Sequence, residues 1–387
     1  MTKSFPNGMT KATELTRSGR LQEATELIQS LLGAAAAGHS RTDDQAIEGE
    51  FTRAVISAPD LDVPAAPCLR QKGTKPPRSG LAETLRKVAA GGMPGPAPKP
   101  HGFVAVAAGA RFLTLTHASK DGSRTYRLYV PATRTDASMP LIVMLHGCTQ
   151  TPEDFAMGTG MNDLAEEFGC LIAYPAQPSG ANMQKCWNWF RPEDQGRGGG
   201  EPALIAGLTR DILSDYPADP ARVYITGLSA GGAAAAIVGA AYPDLFAAVG
   251  VHSGLPAGAA RDVPSAFAAM RSGTTGRPHQ SPLPTIVFHG LADTTVHPAN
   301  GVAVTSQAAS ARTGLRADTL RGTSAGGRAY RRTKHAAQDG RVMVEHWEIT
   351  GAGHAWAGGR AAGSYTDPEG PDASREMLQF FLQHVKG

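Results

Sequence analysis

Gly227-Leu228-Ser229-Ala230-Gly231-Gly232 sets a serine among small residues in the pattern G-x-S-x-G. RVYIT before it reads as a strand, and AGGAAAAIVGAA after it as a helix of small side chains. A sharp strand-to-helix turn needs residues without bulk two positions before and two after the serine, and it lifts the hydroxyl above the sheet. The first amides of the helix, Ala230 among them, then point at any anion formed there. The chemistry served by such a turn is acyl transfer through a serine nucleophile. The plainer alternative is a glycine-rich turn that happens to contain serine; the flanking strand and helix favour the functional reading.

A neutral hydroxyl is a poor nucleophile and needs a base oriented by an acid. In a sheet of this kind the chain order is serine, acid, histidine. Asp293 in HGLADTTV and His354 in GAGHAW each follow the end of an apolar run read as a strand. The three positions lie roughly sixty residues apart, room for a strand–helix unit each time. Both partners fall in loops at the edge where Ser229 sits, the place where open α/β sheets put their sites. Gly351 and Gly353 give the His354 loop its freedom. The rivals are weaker. His289 and His346 lie inside strands and point into the core or across the sheet, His297 is a competitor near Asp293, and His335 is solvated among charges. Asp318 and Asp339 are the fallback acids, and more often just solvated surface charges.

A tetrahedral oxyanion needs two backbone donors. The N–H of Cys148, in the His146-Gly147-Cys148-Thr149 turn after the first buried strand, is expected to join that of Ala230. Cys186 opens CWNWF in a long loop, 176–200, lying over the same edge. A Cys148–Cys186 bridge would clamp that loop, although a cytoplasmic address argues against a stable disulfide. Cys170 and Cys68 read as free thiols. Trp187, Trp189 and Trp356 are candidates for an apolar acyl pocket, with ordinary packing as the alternative.

These residues need elements to position them. FLTLTHA (112–118) and RTYRLYV (124–130) predict an antiparallel hairpin turning at Asp121-Gly122. LIVMLH (141–146), LIAYP (171–175), RVYITG (222–227), AAVGVHS (247–253), TIVFHG (285–290) and VMVEHWEIT (342–350) predict strands. Helices are predicted over 161–169, 202–216, 230–241, 299–311 and 372–385. Alternation of short apolar strands with helices gives an α/β class, a mostly parallel sheet covered on both faces. Residues 1–35 read as an N-terminal helical segment, 36–109 as an Ala/Gly/Pro-rich linker, and 110–387 as the catalytic domain.

Composition excludes several classes. The 387 residues carry 37 Lys and Arg against 34 Asp and Glu, and all of the excess lies in the first hundred. A neutral main body has no basic stripe for phosphates, so nucleic acid is not an expected partner. No apolar run approaches the length of a membrane span. With neither a CxxC pair nor HExxH, a metal has no support. MTKSFPNGMTKATEL has no apolar h-region, so the expected address is cytoplasmic, with extracellular as the alternative.

LIVMLHGCTQTPEDFA, LIAYPAQ, CWNWF, GLSAGG, HGLAD and GAGHAWAGG, in this order, resemble the poly(3-hydroxybutyrate) depolymerase family of α/β-hydrolase esterases over roughly 110–385. The resemblance implies an α/β-hydrolase fold, Ser229 as nucleophile with Asp293 and His354 as partners, the Cys148 amide in the oxyanion hole, paired Cys148 and Cys186, and no cofactor. It implies an ester substrate: poly(3-hydroxybutyrate), its oligomers or related short-chain hydroxyalkanoate esters, with a polymer-granule surface as a further contact. Feruloyl and acetylxylan esterases belong to the same family and form the alternative. A non-catalytic granule-binding protein is the alternative of another class, opposed by the intact Ser–Asp–His set.

Overall fold

The computed structural model describes residues 103–133, 138–274 and 283–386. These all belong to one unit of the chain, within Arg78–Gly387. The N-terminal helical segment, Cys68 and nearly all of the linker lie outside the described residues.

The predicted hairpin is present as β1 (Arg111–Ser119) and β2 (Gly122–Val130), paired antiparallel. Next come β3 (Met139–Leu145), two short helices α1 (Pro152–Thr159) and α2 (Met161–Phe168), and β4 (Leu171–Pro175). A long loop with one 3-10 turn leads to α3 (Gly200–Asp215), β5 (Ala218–Leu228), α4 (Ala230–Ala241), β6 (Ala248–His252), α5 (Val263–Ser272) and β7 (Thr285–Gly290). Helix α6 (Ala299–Ser310) precedes β8 (Arg316–Thr323), β9 (Ala329–Ala336) and β10 (Val342–Ile349). Two-residue strands β11 (Trp356–Ala357) and β12 (Thr366–Asp367) and helix α7 (Ala373–Leu382) follow.

Ten strands form one sheet in the order β1-β2-β4-β3-β5-β6-β7-β10-β9-β8. Its centre, from β4 to β10, is parallel, and antiparallel hairpins close both edges. Side-chain alternation splits the core by face. Leu141, Val143 and Leu145 of β3 pack with α3 and α4, while Ile142 and Met144 pack with α1, α2 and α7. Every residue of β3 is buried, as a strand covered on both faces requires.

The expected strands and helices recur with boundaries moved by a few residues. Four longer elements had no counterpart in the sequence reading: α1, α5, β8 and β9. Where a single strand–helix unit was expected between Asp293 and His354, the chain builds a helix and three strands. Strand β9 (AYRRTKHA) carries no apolar alternation because its partners are charges: Arg331 meets Glu348 at 2.6 Å and Arg332 meets the buried Glu345 at 2.8 Å.

Candidate active site

Ser229 joins β5 to α4 with φ 58° and ψ −119°, a backbone conformation rare for a residue with a side chain. Close packing enforces it. A Cβ on Gly227 would stand 2.4 Å from the Gly231 backbone, and one on Gly231 would stand 2.1 Å from the Leu145 carbonyl. The first turn of α4 is therefore seated against the end of β3, beside the turn that carries Cys148. The Ser229 N–H donates to the His252 carbonyl at 2.9 Å, tying the elbow to β6.

His354 and Asp293 come together. His354 Nδ1 lies 2.7 Å from Asp293 Oδ2, so Nδ1 carries the proton toward the carboxylate and Nε2 keeps its lone pair. The other Asp293 oxygen accepts the N–H groups of Thr295 and Val296, each at 2.9 Å. Burial alone would raise the Asp293 pKa. Hydrogen bonds from His289 and His354, with the nearby imidazole charge, outweigh it and hold the group well below the usual carboxylate range. Its contribution to stability is thus present above the ordinary carboxylate pKa and lost as pH falls through the folded value. The His354 loop is seated on the end of β7, where a Cβ on Gly290 would stand 2.4 Å from the Ala352 carbonyl.

The competitors sit elsewhere. His297 is exposed and its Nδ1 accepts the Ala299 N–H. His346 is buried, and burial lowers its pKa to about 4. His335 is half-buried rather than solvated, and burial lowers its pKa too. Asp318 is exposed on β8, and Asp339 pairs with Arg341 at 2.7 Å. His289 is buried as expected but has a second contact: Nε2–H donates to the Val296 carbonyl at 2.8 Å and lies 3.5 Å from Asp293 Oδ2.

Cys148 and Cys186 form a disulfide. Gly147 N–H donates to Gln150 Oε1 at 2.8 Å, and Thr149 N–H to the Gln184 carbonyl at 2.6 Å. His146 Nδ1–H donates to the Gly147 carbonyl while its Nε2 accepts the Gln177 N–H at 3.1 Å, a neutral form that burial enforces by lowering its pKa to about 4. Among the described residues, neither the Cys148 nor the Ala230 N–H has a hydrogen-bond acceptor, which leaves both available to an oxyanion.

The three tryptophans expected at a pocket are all buried. Trp187 and Trp356 are fully buried, and Trp189 is 5% exposed. Trp187 Nε1 donates to the His146 carbonyl at 3.0 Å and Trp356 Nε1 to Ser374 Oγ at 3.0 Å. The satisfied, enclosed indoles of Trp187 and Trp356 support the turns around the site from within the core. Cys170 is a buried thiol whose pKa burial raises to about 12.

Two groups escaped the sequence reading. His252 is wholly buried, its carbonyl on the Ser229 N–H and its Nε2 accepting the Ala357 N–H at 2.9 Å, so one residue touches both the elbow and the His354 loop. Its ring stacks between Phe288 and Trp356, and burial, reinforced by the charges of His289 and His354, holds its pKa far down. Its place at the end of an apolar run, in VHSG, was the available signal. Glu201, at the start of α3, is buried and accepts Asn188 N–H at 2.7 Å, Asn188 Nδ2 at 2.8 Å and Gln177 Nε2 at 2.5 Å. Nothing in its sequence surroundings marks it.

The family described as Esterase PHB depolymerase matches residues 124–329. Poly(3-hydroxyalkanoate) depolymerase C of Paucimonas lemoignei is 35% identical over 232 residues, 56% of this chain and 55% of that protein. Probable acetylxylan esterase A of Aspergillus fumigatus is 32% identical over 199 residues, 45% of this chain and 51% of that protein. The chain spans about half the length of the curated relatives it matches. An acetyl xylan esterase from Aspergillus awamori superposes with a TM-score of 0.54 at 21% identity, over 71% of this chain and 99% of that one. The fold is that of the α/β-hydrolases.

Proposed function

The chain belongs to the esterase PHB depolymerase family, and from that premise we propose that it is a serine carboxylic ester hydrolase with Ser229, His354 and Asp293 as nucleophile, base and acid. The observation that carries this reading is the 2.7 Å bond from His354 to Asp293, at the same sheet edge as a serine held in a strained elbow. Ser229 Oγ attacks the ester carbonyl as His354 Nε2 takes its proton, and Asp293 keeps the imidazole in that tautomer and stabilises the imidazolium. The Cys148 and Ala230 amides receive the charge that develops on the carbonyl oxygen. The alcohol leaves with the proton from His354, and water then cleaves the acyl-enzyme by the same steps in reverse. No step draws on a cofactor.

The substrate we assign is poly(3-hydroxybutyrate) or its oligomers, in keeping with the depolymerases among the relatives. Contact with a polymer granule is part of this reading. The acetylxylan and feruloyl esterases among the relatives favour a second one, a carbohydrate esterase. Turnover of a 3-hydroxybutyrate trimer beside methyl ferulate and acetylated xylan separates them. The first reading predicts a higher kcat/KM for the trimer; the reverse order selects the second, and binding to granules without turnover of any ester selects a non-catalytic protein. For the address, the disulfide supports an oxidising, extracellular setting over a cytoplasm that keeps thiols reduced. Among the described residues, no helix is long and apolar enough to cross a membrane.

A further inference from the structure

Beside the turn that carries Cys148 lies a cleft of about 300 Å³. Gln150, whose side chain accepts the Gly147 N–H, lines it, and Lys185 lines it one residue before Cys186, which is bonded to Cys148. The cleft thus adjoins the oxyanion turn through Gln150 and Lys185, and the β1–β2 hairpin forms its other side. Tyr126, Pro152 and Pro178 give it apolar wall, and Arg127, Glu153 and Lys185 bring charge.

Charge decides what such a cleft accepts. The Arg127 guanidinium is already engaged: it donates to Thr114 Oγ1 at 2.7 Å and the Phe112 carbonyl at 2.9 Å, and it stands 3.5 Å from Glu153. Those two charges offset one another. Lys185 does not share in this. Among the described residues no carboxylate pairs with its ammonium, which leaves the cleft one net positive charge.

The backbone around Lys185 is not that of a relaxed surface loop. Lys185 has φ 52° and Thr149 φ 67°, two residues with side chains in the left-handed region, one beside each half of the disulfide. The bond from Thr149 N–H to the Gln184 carbonyl and that from Lys185 N–H to the Asn182 carbonyl, at 2.8 Å, hold them there. Conformations of this kind cost on the order of 1–3 kcal/mol and persist where the surroundings over-determine them. Here they fix the point at which the lysine side chain leaves the loop.

We propose that this cleft is a subsite for the free carboxylate end of a hydroxyacid oligomer, with Lys185 as the recognising cation and the apolar wall against the chain's methyl and methylene groups. The inference rests on the hydrolase reading of Ser229 and names the ester favoured, one whose chain ends in a carboxylate close to the scissile bond. A half-buried cation of this kind gives modest, salt-screened discrimination.

The test compares the 3-hydroxybutyrate trimer as free acid and as methyl ester, at low and high salt, for wild type, Lys185→Met and Lys185→Arg, with p-nitrophenyl butyrate reporting the triad in wild type. Wild type is expected to favour the acid through a lower KM. In Lys185→Met the acid-to-ester ratio of kcat/KM should fall about five-fold, and Lys185→Arg should keep most of the preference. An unchanged ratio in Lys185→Met, or a wild-type ratio insensitive to salt, overturns the subsite while leaving the hydrolase reading intact. Cleavage of p-nitrophenyl butyrate with neither trimer cleaved overturns the polyester reading and this subsite with it. A wild type inert toward all three esters refutes the hydrolase reading itself.

Discussion

Around Ser229 the backbone is held by contact: glycines with no room for a Cβ, a helix of alanines, and the Leu145 carbonyl against Gly231. The loop over 176–199 reaches the same sheet edge and is held by the opposite means. Its fixed points are a disulfide, the buried carboxylates of Glu201 and Asp194 and a tryptophan N–H. Steric fixation needs no desolvated polar group and gives one geometry, as a nucleophile requires. Polar fixation is long-range and conditional, because each buried group depends on a partner elsewhere in the chain.

Mutations should separate the two regions. In the loop, Cys148→Ser with Cys186→Ser opens a closure of 38 residues and should cost about 4 kcal/mol, read as a lower denaturant midpoint that reducing agent reproduces in wild type. If the elbow is independently held, the double variant keeps substantial turnover at temperatures where it is folded; complete loss there would tie the two regions together. Glu201→Gln exchanges an acceptor-only group for one whose NH₂ must face the Gln177 or Asn188 donors. It should destabilise by roughly 2 kcal/mol, checked by urea unfolding, and a neutral result would remove Glu201 from the account of the loop. At the elbow, His252→Leu removes the acceptor of the Ala357 N–H while filling the same apolar slot. It should lower kcat about ten-fold with KM little changed, since small displacements of reacting groups are costly, and His252→Gln should recover part of it. Equal kcat in both variants would leave His252 a packing residue only.

What the sequence disclosed follows the same division. The elbow was legible because sterics leaves a compositional mark: glycines two residues either side of a serine, between an apolar strand and an alanine-rich helix. The parallel strands were legible as apolar runs. Strand β9 was not, because Arg331 and Arg332 pair across to Glu348 and Glu345 in place of an apolar alternation, and β8 was not, because it is an exposed edge strand with no buried face to mark it. Glu201 was invisible because its partners lie at 177 and 188, across the loop, and no local pattern records them. The burial of Trp187 and Trp356 was illegible for a related reason: their position beside site residues was visible, but their indoles are tied to the His146 carbonyl and Ser374.

The central claim is that Ser229 is the nucleophile of an ester hydrolase. Its most direct test is the rate of p-nitrophenyl butyrate hydrolysis by Ser229→Ala beside wild type, with thermal unfolding of both. The account predicts turnover reduced at least ~10³-fold at an unchanged melting temperature, since the elbow's geometry rests on its glycines. Hydrolysis by Ser229→Ala at the wild-type rate would contradict it.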